Sequence, residues 1–188
     1  MKNEAEYRIW LELISRFIGG FSRLPNNLGL ELNVLNTIRR DLSITTLEDG
    51  QSPNNELLPE TWHEDLENSH HNSVYDAIWN VRYEEEHDMK SLLDAHINHE
   101  LEYGEAMSSL IAKASLMPSH LWQILGLESR SRLGELIQLY FPTLHEQNTL
   151  NMRWKRFFYK QLCEQEGDYV CRAPNCLHCS SFKECFVS

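Results

Sequence analysis

The sequence predicts an all-α protein, a helical bundle that ends in a short, irregular, cysteine-rich metal-binding tail. Apolar residues recur at helical spacing over most of the chain, whereas almost no segment alternates apolar and polar residues as a half-buried strand does. Four of the five cysteines are concentrated in residues 171–185. A length of 188 residues with 41% hydrophobic content is enough for one domain with a real core.

Two helices are predicted in residues 1–42. The stretch EYRIWLELISRFIGGF carries an apolar stripe at helical spacing, formed by Trp10, Leu13, Ile14, Phe17, Ile18 and Phe21. A second predicted helix runs from Leu30 to Arg40. The periodicity then fades, and the polar, turn-rich residues 43–72 are predicted to form a flexible linker.

Helical periodicity returns over residues 73–167, the predicted helical bundle. Its first helix covers residues 73–97, with an inward stripe of Val74, Ile78, Val81, Met89, Leu92 and Leu93. Ser119 and Ser129 are placed to cap two further helices, and Phe141-Pro142 is expected to end the second. The last helix carries an aromatic stripe of Leu150, Trp154, Phe157, Phe158 and Leu162. Residues 168–188 are the predicted cysteine-rich tail, and the four parts together form one domain.

The charge and hydropathy of the chain exclude several classes of partner. A net charge of −11 argues against nucleic-acid binding, because an acidic surface repels phosphates. No apolar run approaches the ~18 residues of a membrane span, and the N-terminus MKNEAEYRIW lacks the pattern of a secretory signal. We therefore expect a soluble, cytoplasmic protein.

The cysteines form the pattern C-x4-C-x2-C-x5-C, at Cys171, Cys176, Cys179 and Cys185. Disulfides are the weakest interpretation, because the cytoplasm is reducing and five cysteines cannot all pair. Thiolates bind both zinc and iron–sulfur clusters, and gaps of 4, 2 and 5 within one loop resemble cluster-binding loops more than paired zinc ligands. Residue spacing alone leaves zinc and free or redox-active thiols open.

Two further residues near the motif are candidate ligands. Cys163 precedes it by eight residues and is either a small core residue or an additional ligand. His178 lies inside the motif and is either a bystander or a supporting ligand.

The histidines and carboxylates of the bundle suggest a second kind of metal site. Glu84 and His87 have the i, i+3 spacing that di-iron and di-manganese bundles use, which would make the protein a di-metal carboxylate oxidoreductase. Only this one Glu-x-x-His pair lies on a predicted helix, so a solvated acidic face is the plainer interpretation. The signature motifs of common enzymes are absent from the sequence.

The C-terminal half contains WKRFFYKQLCEQEGDYVCRAPNCLHCSSFKECF, where an aromatic and basic helix is followed by E-x-EG and by the four cysteines. In this pattern it resembles the NifQ family of nitrogen-fixation proteins. Upstream, HLWQILGLESRSRLGELIQLYFPTLHEQNTLNMRW is similar to the helix pair of the family. RYEEEHDMKSLLDAH and LPNNLGL match its earlier elements more loosely.

This resemblance implies a molybdenum-handling iron–sulfur protein. It implies that Cys171, Cys176, Cys179 and Cys185 hold an iron–sulfur or molybdenum–iron–sulfur cluster. It also implies that the protein donates molybdenum for biosynthesis of the nitrogenase iron–molybdenum cofactor and is not an enzyme. The implied partners are a molybdenum source such as molybdate, the nitrogenase cofactor scaffold complex and the nitrogenase iron protein.

The positive charge of the chain lies at the same end as the cysteines. Residues 151–188 carry a net +2, so the first 150 residues carry −13. The basic residues that could attract molybdate or dock a partner are Arg153, Lys155, Arg156, Lys160 and Arg172. A solvated helix face is the alternative.

Overall fold

The computed structural model describes residues 3–42, 75 and 77–166. Within these ranges the regular elements are helical and none is a strand, which confirms the predicted all-α class. The elements in chain order are α1 (Glu4–Ile18), a 3-10 turn (Asn26–Gly29), α2 (Leu32–Asp41), α3 (Tyr83–Asp94), α4 (Gly104–Ser115), α5 (Leu121–Ile124), α6 (Arg130–Tyr140), α7 (Pro142–Gln147) and α8 (Trp154–Glu166). The predicted linker and the cysteine-rich tail lie outside the described residues, and the division into four parts stays a prediction.

Helix α1 begins at a polar cap and ends earlier than predicted. The Asn3 side chain accepts two backbone N–H groups of the first turn. The core side of α1 includes Trp10, Leu13 and Ile14, as predicted. The inward placement of Ile18 and Phe21 was wrong, because these side chains are 37% and 62% exposed. The helix ends at Ile18, and the chain then turns at Gly20, whose φ of 73° favours glycine.

A buried carboxylate joins α1 to two other helices. Glu6 is 3% exposed, and its Oε1 accepts hydrogen bonds from the Tyr103 N–H at 2.9 Å and the Tyr140 hydroxyl at 3.2 Å. Its Oε2 accepts one from the Glu102 N–H at 3.2 Å. Because these donors lie at the start of α4 and the end of α6, Glu6 fixes three helices at one point.

The predicted helix over residues 73–97 is interrupted. Residues 77–81 are helical, but Arg82 leaves the helical conformation (φ −111°, ψ 27°) and α3 starts at Tyr83. The break changes which side chains face the core. Val81 was expected to point inward and is 86% exposed. The later stripe is confirmed, with Met89, Leu92 and Leu93 buried.

Caps and helix boundaries in the second half agree only in part with the prediction. The Ser129 hydroxyl accepts the Arg132 N–H at 3.1 Å and caps α6, as expected. Ser119 does not cap α5. Helix α6 ends at Tyr140, directly before Phe141-Pro142, as expected. Pro142 then begins α7, since proline is tolerated at a first helical position. Leu150 lies before α8 and is 77% exposed.

Helix α8 closes the described bundle by packing against α3. The aromatic stripe of α8 is buried at Trp154, Phe157 and Phe158, as predicted. None of the helices in the described ranges is long and apolar enough to cross a membrane.

Candidate functional site

The four cysteines of the predicted metal site lie outside the described residues, together with Arg172 and His178. Cys163 is described and is half-buried on α8. Helix α8 ends at Glu166, only five residues before Cys171. The helix α8 and its contacts are therefore the described part of the structure that lies nearest to the candidate site in sequence.

An aromatic cluster holds α8 in the core. The Trp154 ring lies 5.9 Å from Phe157 in an edge-to-face arrangement and 5.9 Å from Phe158. His145 of α7 lies 5.7 Å from the same indole ring. Aromatic pairs at these separations add to the free energy gained by burial, so the first two turns of α8 are firmly packed.

Arg82, at the interruption before α3, contacts three elements. Its Nε donates to Glu85 Oε2 at 2.7 Å and its Nη2 donates to Glu85 Oε1 at 2.5 Å, a bidentate pair. Nη1 donates to the Leu116 carbonyl at 2.6 Å, just after α4, and Nη2 to the Tyr159 hydroxyl of α8 at 3.2 Å. Burial would lower the pKa of Arg82, but Glu85 and Tyr159 raise it, so the guanidinium stays charged.

Lys155 of α8 is turned toward backbone carbonyls after α4. Its Nζ donates to the Met117 carbonyl and to the Ser119 carbonyl, the latter at 2.6 Å. Burial, followed by the positive charge of Arg82, lowers the pKa of Lys155 to about 7. Lys155 therefore fastens the chain between α4 and α5 to α8.

Ser119 also receives a contact from the N-terminal part of the chain. Arg23 Nη1 donates to the Ser119 hydroxyl at 2.8 Å, and the Arg23 backbone N–H donates to the Ile124 carbonyl at 2.8 Å. The exposed His120 follows Ser119 in the chain. Partial desolvation, and then the positive charges of Arg153 and Lys155, lower the pKa of His120. The set Arg23, His120, Arg153 and Lys155 is called the Ser119 basic cluster below.

The structure redistributes the basic residues that the sequence had grouped on the last helix. Lys160 lies 3.3 Å from Glu164 in an exposed i, i+4 ion pair, which offsets its charge. Lys155 donates to carbonyls, and Arg156 is half-buried on α8. Of the described members of the predicted set, Arg153 and Lys155 belong to the Ser119 basic cluster, and Arg172 lies outside the described residues.

The alternative metal site of the bundle has little support in the described residues. Glu84 and His87 are both exposed on α3. Over residues 3–42, 75 and 77–166, no three His, Cys, Asp or Glu side chains are grouped so that they could hold a metal ion. Glu85, next to Glu84 in the chain, is paired with Arg82.

The comparison with protein families identifies the relationship of this chain. A family model described as NifQ matches residues 15–187, which is most of the sequence and includes all four motif cysteines. The chain belongs to the NifQ family. Proteins of this family are implicated in nitrogen fixation. The family that the resemblance of the C-terminal half indicated is confirmed.

Curated NifQ proteins align with part of this chain. Protein NifQ of Azotobacter vinelandii is 58% identical over 80 residues, which cover 43% of this chain and 41% of that protein. The NifQ homolog of Sinorhizobium fredii is 42% identical over 100 residues, covering 53% and 44%. Protein NifQ of Klebsiella pneumoniae is 48% identical over 81 residues, covering 43% and 48%. The chain thus spans less than half the length of these relatives, and no solved structure matches it.

Several residues that organise this NifQ chain had no signal in the sequence. Arg23 lies 96 positions from Ser119, and Arg82 lies 77 positions from Tyr159. In the sequence, Glu6 looks like an ordinary acidic residue in the first turn of a helix. Its burial in the structure reveals its role. Basic residues close in sequence could be grouped by inspection, but contacts between distant segments require the fold.

Proposed function

We propose that this chain binds molybdenum in an iron–sulfur centre and donates it for biosynthesis of the nitrogenase iron–molybdenum cofactor. The centre is an iron–sulfur or molybdenum–iron–sulfur cluster held by Cys171, Cys176, Cys179 and Cys185. The observation that carries the proposal is this four-thiol motif inside the region matched by the NifQ family model. Four thiolates are a suitable donor set for such a cluster.

The described helices support this role as a base for the tail. The aromatic cluster and the Arg82 contacts fix α8, which ends five residues before the first motif cysteine. A fixed helix limits how far the first thiol can move, whereas metal release needs no catalytic group in the bundle. In this proposal the chain is located in the cytoplasm and donates metal without catalysing a reaction.

The proposed recipients are the nitrogenase cofactor scaffold complex and the nitrogenase iron protein, with molybdate or another molybdenum source as the supply. A transfer assay tests this. Anaerobically purified chain loaded with isotopically labelled molybdenum is mixed with the scaffold complex and the iron protein, and the label is measured after separation. Label in the scaffold complex supports donation, and label that stays on this chain contradicts it.

The alternative is a helical interaction module whose tail holds structural zinc. The observation that favours it is the exposure of two apolar side chains two positions apart, Val81 and Tyr83, which are 86% and 65% exposed and could contact a protein partner. Metal analysis separates the two functions. Brown protein containing iron supports the cluster, whereas colourless protein with one zinc and no iron supports the alternative.

A further inference from the structure

The interruption before α3 leaves two large apolar side chains in solvent. Arg82 leaves the helical conformation, and its guanidinium donates to the Leu116 carbonyl and to the Tyr159 hydroxyl of the bundle. Its two neighbours in the chain, Val81 and Tyr83, are exposed. Apolar side chains exposed close together are typical of interaction sites, because a partner that covers them removes apolar surface from water.

Tyr83 begins a solvent-facing side of α3 that combines rings and carboxylates. One helical turn later lies His87, whose ring centroid is 6.5 Å from that of Tyr83. Glu84 and Asp88 follow these two residues at the same i, i+4 spacing, while the other side of α3 is buried in the core. The set Val81, Tyr83, Glu84, His87 and Asp88 is called the outer face of α3 below.

The outer face of α3 carries negative charge that the described residues do not balance. The Glu84 carboxylate is exposed and forms no ion pair with a described residue. Asp88 lies 3.9 Å from the Nδ1 atom of His87, a pair that is ionic only when the imidazole is protonated. Further along the same helix, by contrast, Lys90 and Asp94 form an ion pair at 2.5 Å. A partner with complementary charge for this face therefore carries basic groups.

An aromatic ring next to a carboxylate suits the side chains of arginine and lysine. A guanidinium can stack on the ring of Tyr83 and donate hydrogen bonds to the carboxylate of Glu84. Val81 adds apolar area at the edge of the same contact. Tyrosine and arginine are also among the residues that contribute most to the affinity of protein interfaces. The chemistry of the face thus matches a basic protein surface.

We propose that the outer face of α3 docks a basic surface of the protein that receives the metal, with an arginine or lysine of that protein against Tyr83 and Glu84. The position of the face supports this partner. Arg82 lies within the same stretch of chain and reaches Tyr159 of α8, the helix that ends five residues before Cys171. A protein docked here therefore lies against the segment that joins α3 to the helix of the cysteine motif. The choice of partner rests on the proposed function.

The test measures binding of the full-length, anaerobically purified chain to the nitrogenase cofactor scaffold complex and, separately, to the nitrogenase iron protein, at low and at high salt. We expect binding to at least one of them. Val81→Ala combined with Tyr83→Ala should weaken it about tenfold at both salt concentrations, as expected for the loss of an aromatic anchor. Glu84→Gln combined with Asp88→Asn should weaken it about fivefold at low salt and much less at high salt, because salt screens exposed charges.

The matched control carries Glu31→Gln and Leu32→Ala, at the start of a different helix. Leu32 is the first residue of α2 and is exposed, and the adjacent Glu31 is exposed as well. This pair reproduces an exposed apolar side chain beside a carboxylate, and the control should bind like the parent. Since the altered side chains lie at the surface, the urea midpoint of the chain alone should change little in every variant.

The proposal is overturned if neither protein binds, or if both combined variants bind like the parent. It is also overturned if the substitutions destabilise the chain alone, which would assign the face to residues of the same chain, or if they abolish self-association in analytical ultracentrifugation, which would assign it to a second copy.

Failure of the proposed function gives a different result. Transfer of labelled molybdenum that proceeds equally well in the variants would leave donation in place without this docking face. Docking that depends on the face, in a chain that never acquires molybdenum, would leave the face in place while donation fails.

Discussion

Arg82 Nη2 donates a hydrogen bond to the Tyr159 hydroxyl at 3.2 Å, which joins the start of α3 to the middle of α8. The same guanidinium is held by Glu85 and contacts the carbonyl of Leu116. A single side chain therefore links the helix that precedes the cysteine motif to two other elements of the bundle.

Removing Arg82 should destabilise the protein. Arg82→Met leaves the half-buried Glu85 carboxylate and the Leu116 carbonyl without their donor, so we expect the free energy of unfolding to fall by about 2 kcal/mol. Urea denaturation measures this change. The matched control is Arg40→Met, because Arg40 is 73% exposed and its ion pair among the described residues is with the neighbouring Asp41. A change as small as that of the control would contradict the role assigned to Arg82.

The hydrogen bond between Arg82 and Tyr159 can be measured separately. In a double-mutant cycle with Arg82→Met and Tyr159→Phe, we expect a coupling energy of about 1 kcal/mol. Additive effects of the two substitutions would mean that the two side chains do not interact.

The buried Glu6 carboxylate should matter more than its neighbour Glu4. Glu6→Ala leaves the Tyr103 and Glu102 N–H groups and the Tyr140 hydroxyl without an acceptor, and we expect a loss of about 3 kcal/mol. Glu4→Ala, at an exposed position in the same helical turn, should cost about 0.5 kcal/mol. Equal thermal stability of the two variants would contradict the structural role of Glu6.

Lys155 should make stability depend on pH. Its folded pKa of about 7 lies below its ordinary value of 10.5, so between these values the unfolded chain binds more protons. The free energy of unfolding should therefore rise with pH, by about 1 kcal/mol between pH 7 and pH 9 for this partly buried group. Above pH 10 the raised pKa values of Tyr140 and Tyr159 act in the opposite direction, and stability should fall.

The measurement is the urea midpoint at pH 7, 8 and 9 for the parent and for Lys155→Met. The increase assigned to Lys155 should be missing from the variant. Parallel pH profiles of the two proteins would show that the ammonium is not the source.

The helices that the sequence predicted well have strong apolar periodicity of their own. The stripes at Leu13 and Ile14 and at Leu92 and Leu93 are buried because local spacing already defines one face of each helix. The interruption at Arg82 was missed because residues 73–97 contain neither glycine nor proline. Its partners Leu116 and Tyr159 become neighbours only in the folded chain.

The candidate site likewise contains residues that could be recognised from the sequence and residues that could not. The four cysteines could be recognised from spacing because they are close in sequence, and their metal-binding role stays a prediction. The Ser119 basic cluster could not be recognised, because Arg23 and Ser119 belong to segments that share no pattern. The basic residues of α8 reach different partners when the helix packs, since Lys155 donates to backbone carbonyls and Lys160 pairs with Glu164. Their role toward molybdate or a partner stays a prediction.

The most direct test of the central claim is the iron and molybdenum content of anaerobically purified protein, measured together with electron paramagnetic resonance. We predict iron and molybdenum in the parent, and retention of both in Cys163→Ala. Both metals and the cluster signal should be lost when Cys171, Cys176, Cys179 and Cys185 are replaced by alanine. Unchanged iron in that fourfold variant, or a parent protein with one zinc and no iron, would contradict the account.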